Sequence, residues 1–331
     1  PGAHMAGGME YPTLFTSESR HGPFMERSDA LGTTVHEFVH QYFYGILGSN
    51  EHAEPWLDEG FTVYATGVIL DRLYGADRSA FEIGPFRMGY FAGGRILMRA
   101  AGRWDPARLP ANRFATPRSY FANVYGKPSL ALKTLEGQIG WKRMRALMRD
   151  YAQQHWMGHP TGDDFFRVLD AHVREKPLRR FFRDAVQTAG VLDYEVAKVM
   201  AVRLREPRGT FDNALDRSRR DEAKKLAQSK YENRVLVHRI GELRIPVTVE
   251  LRTADGRKQR ARWDGQKRWH WVVVYGDSPV VAAELDPDRT LALEQKILNN
   301  GLRLEPDARP ARRVTGRLLS GLQALLQLVG F

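Results

Sequence analysis

His36-Glu37-Phe38-Val39-His40, with Glu59 following inside Trp56-Leu57-Asp58-Glu59-Gly60, decides how this chain is read. Histidines four apart on a helix project from one face, so both rings can reach a single tetrahedral zinc. Glu37 lies beside that face, where it can take a proton from a water held there. Glu59 supplies a third ligand, and three protein ligands leave the fourth position open. That is the pattern of a catalytic zinc site rather than a structural one. The expectation is one zinc per chain, held by His36, His40 and Glu59.

The apolar pattern predicts a helix over residues 29–47. Val35, Phe38, Val39, Tyr42, Phe43, Ile46 and Leu47 leave it little wet surface. The rival reading is a core helix that happens to carry polar residues. In such a helix two histidines and a glutamate still need partners, because an unpaired buried polar group costs about 2–7 kcal/mol. A metal is the simplest partner for all three.

The chain has 331 residues, enough for two domains. Hydrophobic content of 43% with 27% charged residues places it among ordinary globular proteins. There is no cysteine, so disulfides are excluded and a zinc site must use His, Asp or Glu. The same absence leaves the cytoplasm and the cell envelope equally open. A net charge of +11 raises nucleic acid as a partner. The basic residues are spread along the chain, however, without stacking-aromatic motifs or finger spacing, so no nucleic acid is expected. No apolar run reaches the length of a membrane span.

Residues 1–5 read as a remnant of tag cleavage and cloning. Natural sequence is expected to start at Ala6, inside a motif, and to extend upstream. Gly7 to Phe15 reads as extended. Helices are expected from Pro55 to about Tyr74 and over 86–101, 128–139, 141–156, 162–174 and 177–188. Near Val191 the period changes to two. Strands are expected over 193–204, 231–239, 242–252, 257–263, 268–275 and 279–285, with Asp255-Gly256 as a hairpin turn. The fold class is therefore α+β: a mostly helical domain over 6–190, then a small antiparallel β-sandwich over 191–295 with a charged helical insert at 208–229. A C-terminal helical tail occupies 296–331. Its apolar residues at 314, 318, 322, 325 and 329 follow Arg312, Arg313 and Arg317, which suits either a membrane surface or a protein contact.

The combination resembles the aminopeptidase N family of gluzincins, whose catalytic domain is thermolysin-like. The resemblance rests on His36-Glu37-x-x-His40-Gln41 with Trp56-Leu57-x-Glu59-Gly60, and on Gly7-Gly8-Met9-Glu10-Tyr11-Pro12 upstream. Tyr120 and Tyr125-Gly126-Lys127 match further on, and a β-rich domain follows the helical one. It covers about residues 7–190 closely and the sandwich in order and type only. The resemblance implies a zinc aminopeptidase acting on peptides with a free N-terminus. Gly7, Gly8, Met9 and Glu10 would line the substrate, with Glu10 binding its α-ammonium, and Tyr125 would donate to the oxyanion. Tyr11 stands where the family usually has Asn. The family's N-terminal β-domain, which roofs the cleft, is missing from the sequence.

Two rivals remain at this stage. A zinc endopeptidase or other zinc hydrolase keeps the metal chemistry without the amine site. A non-catalytic binding module keeps neither, and has no need of a base such as Glu37. Among other histidines, His155 and His159 are four apart, but Gly158 and Pro160 break the helix that would pair them. His52 reads either as a surface loop residue or as a neighbour of the zinc site.

Overall fold

The computed structural model describes residues 8–17, 30–83, 86–204, 229–305 and 309–328. Gly7 and the helical insert expected at 208–229, apart from its last residue, lie outside the described residues. The N-terminal stretch expected to be extended turns back on itself at Pro12-Thr13, and Met9 bridges Thr16.

Helix α1 (Ala30–Val39) carries His36, with His40 just past its end, and packs on α2 (Glu59–Tyr74). The helix expected over 29–47 is shorter than its apolar pattern suggests. After His40 the chain folds back: the Gly45 amide bonds to the His40 carbonyl and the Leu47 amide to the Tyr42 carbonyl, both at 2.9 Å. A Cβ on Gly45 would stand 2.6 Å from the Gln41 carbonyl oxygen, so this return needs glycine. The expected all-round burial is corrected with it, since Phe38 and Tyr42 are 48% and 50% exposed.

A 3-10 turn at Pro55–Leu57 leads into α2. Trp56, Leu57 and Phe61 are buried, with the Trp56 ring 5.9 Å from Phe61 and Phe61 edge-on to Phe165 at 4.8 Å. Truncating a buried Trp or Phe to Ala costs about 3–5 kcal/mol. This aromatic packing therefore holds the start of α2, and Glu59 with it, in one place.

A hairpin of β1 (Phe81–Ile83) and β2 (Phe86–Met88) precedes α3 (Tyr90–Ala101). The helix expected from residue 86 thus starts four residues later, because Phe86 to Met88 pair with β1. Then come α4 (Pro117–Tyr120), a π-helical turn at Phe121–Gly126 and α5 (Lys127–Ile139). Helices α6 (Trp141–Gln154), α7 (Gly162–His172) and α8 (Lys176–Gln187) complete this half. Helix α7 begins with a Thr161/Asp164 capping box.

The sandwich consists of two antiparallel sheets. One has the order β3-β4-β7, from β3 (Tyr194–Arg203), β4 (Tyr231–Arg239) and β7 (Trp269–Gly276). The other has the order β6-β5-β8-β9, from β5 (Val247–Thr253), β6 (Lys258–Trp263), β8 (Val280–Leu285) and β9 (Gly301–Arg303). Val196, Val235, Val237 and Val272 of the first sheet share one core with Val249, Leu251, Trp263 and Leu285 of the second. The strand expected from 242 begins at Val247; Leu243 and Ile245 are buried before it as loop.

Residues 296–331 are not wholly a helical tail. Gly301–Arg303 pairs with β8 and extends the sheet past the expected boundary at 295, and among the described residues of this stretch only α9 (Arg309–Leu328) is helical. Just before β9, residues 290–295 tie the two halves together. The Leu293 amide bonds to Thr134 Oγ1 (2.9 Å), Arg95 to the Ala292 carbonyl (3.1 Å), and the Gln295 amide to the Leu192 carbonyl (2.9 Å).

Candidate metal centre and active site

Helices α1 and α2 bring the three expected ligands to one point. His36 Nε2 stands 3.2 Å from Glu59 Oε2, His40 Nε2 stands 3.3 Å from the same oxygen, and the two Nε2 atoms are 3.1 Å apart. Donors about 2.0–2.1 Å from a tetrahedral zinc stand about 3.3–3.4 Å from one another. The observed triangle of two imidazole nitrogens and one carboxylate oxygen fits such an ion. The His40 amide still bonds to the His36 carbonyl (3.2 Å), so both rings keep helical spacing although α1 ends between them.

Burial works against charge on Glu59, but hydrogen bonds with His36 and His40 outweigh it and hold its carboxyl down at about 2. For His40, burial alone would lower the imidazole; hydrogen bonds with Asp58 and Glu59 raise it instead. Asp58 is the residue that the sequence reading passed over. It is 2% exposed, and His40 Nδ1 donates to its Oδ1 at 2.7 Å, which leaves Nε2 aimed at the ligand triangle. Its signal in the sequence was a carboxylate beside buried Trp56 and Leu57, a costly position unless it is paired.

Glu37 is 4% exposed, and its Oε2 has no hydrogen-bond partner among the described residues. Burial, with Glu10 and Glu59 adding to it, lifts its carboxyl to about 7 against the pull of His40. A Cβ on Gly8 would lie 2.2 Å from Glu37 Oε1, so Gly8 leaves the space that the Glu37 carboxyl occupies. Glu10 comes close as well: acceptor or donor atoms of Glu10, Glu37 and His40 lie within 4.8 Å of one another.

Tyr125 sits on the π-helical turn and donates its hydroxyl to Glu59 Oε1 at 2.5 Å. Burial and the Glu59 charge push its pKa far above the usual phenol range, so it stays a donor. Tyr120 packs its ring on Phe114 (5.2 Å) and Tyr125 (6.2 Å).

A cavity of about 650 Å³ joins these groups; Gly8, Met9, Glu10, His36, Glu37, His40, Glu59 and Tyr125 all line it. Its other wall is apolar, with Val63, Phe81, Met88, Tyr90 and Phe121, none of which the sequence singled out. Phe81 and Met88 come from the β1–β2 hairpin, Phe121 from the π-helical turn, Val63 from α2 and Tyr90 from the start of α3. His52, His155 and His159 stay apart from the site. His52 is exposed, His159 Nδ1 meets the Gly48 carbonyl (2.8 Å), and His155 packs on Tyr151.

The sequence matches the Peptidase family M1 domain over residues 3–184, more than half of the chain, and the chain belongs to that family. It is 22% identical over 191 residues to Tricorn protease-interacting factor F2 of Thermoplasma volcanium, covering 57% of this chain and 23% of that protein. It is 21% identical over 180 residues to the protein of the same name from Thermoplasma acidophilum, covering 54% of this chain and 22% of the other. Among solved structures, Legionella pneumophila aminopeptidase A in complex with aspartic acid shares the fold. The TM-score is 0.52 at 14% identity, over 80% of this chain and 27% of that one. The chain thus spans about a quarter of the length of the relatives it matches.

Proposed function

We propose that this chain carries the catalytic centre of a zinc-dependent aminopeptidase that hydrolyses the first bond of peptides with a free N-terminus. The observation that carries the reading is the meeting of His36, His40 and Glu59 at one point, with the Glu10 and Glu37 carboxylates in the same cavity. His36, His40 and Glu59 would hold the zinc. When bound, zinc supplies Lewis acidity, polarising the scissile carbonyl and making a water more acidic.

The rest falls to the protein's own groups. Glu37, with a free buried oxygen, takes the proton of the attacking water and passes it to the leaving amine. Glu10 pairs with the substrate's α-ammonium, a charge that internal peptide bonds lack, and so limits cleavage to the chain end. Tyr125 keeps its proton and donates it as a hydrogen bond where negative charge develops on the carbonyl oxygen. Asp58 holds the His40 ring in orientation.

Two variants test these assignments on a zinc-loaded chain. Glu37→Gln should lose about 10²–10⁴-fold in kcat with zinc content unchanged. Glu10→Gln should weaken free-amine substrates while leaving zinc in place. Turnover retained in Glu37→Gln would remove the base assignment. An unchanged KM in Glu10→Gln would move the reading to an endopeptidase or another zinc hydrolase.

A further inference from the structure

Helix α9 runs from Arg309 to Leu328 with four arginines, at 309, 312, 313 and 317, and no acidic residue. From Leu318 to Phe331 the sequence carries no charge. At about 100° per residue, Val314, Leu318 and Leu322 fall on one face, and Arg312 and Arg317 flank that face on opposite sides. The apolar face is not packed on the described body of the protein. Val314 and Leu318 are each 51% exposed, Leu319 is 60% and Leu322 54%. On the helix's other side, Arg312, Arg313 and Arg317 share a hollow with Arg87 of β2. Among the described residues none of those three helix arginines has an acidic partner, while Arg87 pairs with Glu82 at 2.9 Å.

We propose that α9 lies in the plane of an anionic lipid surface and attaches the protein to it. The aliphatic face enters the boundary between headgroups and acyl chains, and the flanking Arg312 and Arg317 reach lipid phosphates on either side. Arg313, on the helix's polar side, adds to the positive potential around it. The described part of the helix is not long and apolar enough to cross a membrane, which agrees with an in-plane position. A protein groove is the poorer fit, because α9 has no Trp or Tyr to anchor an interface core.

The test is co-sedimentation of the full chain with sucrose-loaded vesicles, either pure phosphatidylcholine or 30% phosphatidylglycerol in phosphatidylcholine. Binding should be at least about tenfold tighter on the anionic vesicles and should weaken with salt. Arg312→Gln with Arg317→Gln should lower it about thirtyfold. Leu318→Glu with Leu322→Glu should abolish it, and these exposed positions leave the folded core untouched. Equal or absent binding on the two compositions overturns the proposal. So does binding that survives the leucine double variant, which would assign it to the general basic surface. Sedimentation velocity without vesicles supplies the last outcome: a dimer that the leucine variant dissolves would make α9 a contact between two copies and overturn the lipid assignment.

Discussion

Replacing Asp58 with alanine should weaken zinc binding by about ten- to a hundredfold while the fold survives. The magnitude follows from what the His40 ring loses. Its Nδ1 donates to Asp58 Oδ1 at 2.7 Å, with the two side chains 1% and 3% exposed. A buried hydrogen bond to a charged group is worth about 1.5–3 kcal/mol. Alanine removes it and leaves the Phe43 carbonyl at 3.2 Å and Thr62 Oγ1 at 3.3 Å as weaker partners for the same nitrogen. Partial replacement by those two reduces the net loss to about 1.4–2.7 kcal/mol, which is the ten- to hundredfold range. Competition against a chromogenic zinc chelator measures the change directly, and far-UV circular dichroism reports the fold. Asp58→Asn keeps an acceptor without the charge and should fall between wild type and Asp58→Ala. Zinc affinities of both variants within twofold of wild type would refute the claim that Asp58 orients His40.

Gly8→Ala would place a methyl group 2.2 Å from Glu37 Oε1, so Glu37 must move. Activity should fall at least about tenfold with zinc content unchanged by elemental analysis. Lys127 is 1% exposed and donates to the Thr188 carbonyl at 2.6 Å; burial lowers its amine to about 7. Between that value and the unfolded pKa of about 10.4, the unfolded chain binds more protons, so the penalty of burying Lys127 is full below pH 7 and shrinks as pH rises. Lys127→Met should therefore gain stability relative to wild type at pH 6, and lose about 2–3 kcal/mol of that advantage by pH 9, as read by urea unfolding at both pH values. Tyr194→Phe removes a hydroxyl that donates to the Ile245 carbonyl at 2.7 Å and accepts from the Ile245 amide at 2.9 Å. It should cost about 1–3 kcal/mol in the same assay, since two buried backbone groups lose their partner.

The parts of the site that the sequence made legible are those set by short-range geometry. Two histidines a helical turn apart must share a face, and Glu59 opens a helix whose start is marked by Pro55 and the buried Trp56. The strands over 194–203, 231–239 and 258–263 were equally legible, because a half-buried strand writes its alternation into the chain. What was not legible depends on contacts distant in sequence. The end of α1 at Val39 reflects a chain reversal through Tyr44 and Gly45 that an apolar run conceals. Strand β9 is three residues long and exists only because β8 offers it an edge. The part of the apolar cavity wall made by Phe81 and Met88 comes from a hairpin whose pairing has no local mark. The role of Asp58 was not legible either, because only the fold sets it against His40.

The most direct test of the zinc aminopeptidase reading is hydrolysis of paired aminoacyl reporters by the zinc-loaded chain, one with a free amine and one acetylated. The account expects turnover of the free-amine reporter only, abolished in Glu37→Gln, because Glu10 requires the terminal charge and Glu37 supplies the base. Equal cleavage of both reporters, or cleavage that persists in Glu37→Gln, would contradict it.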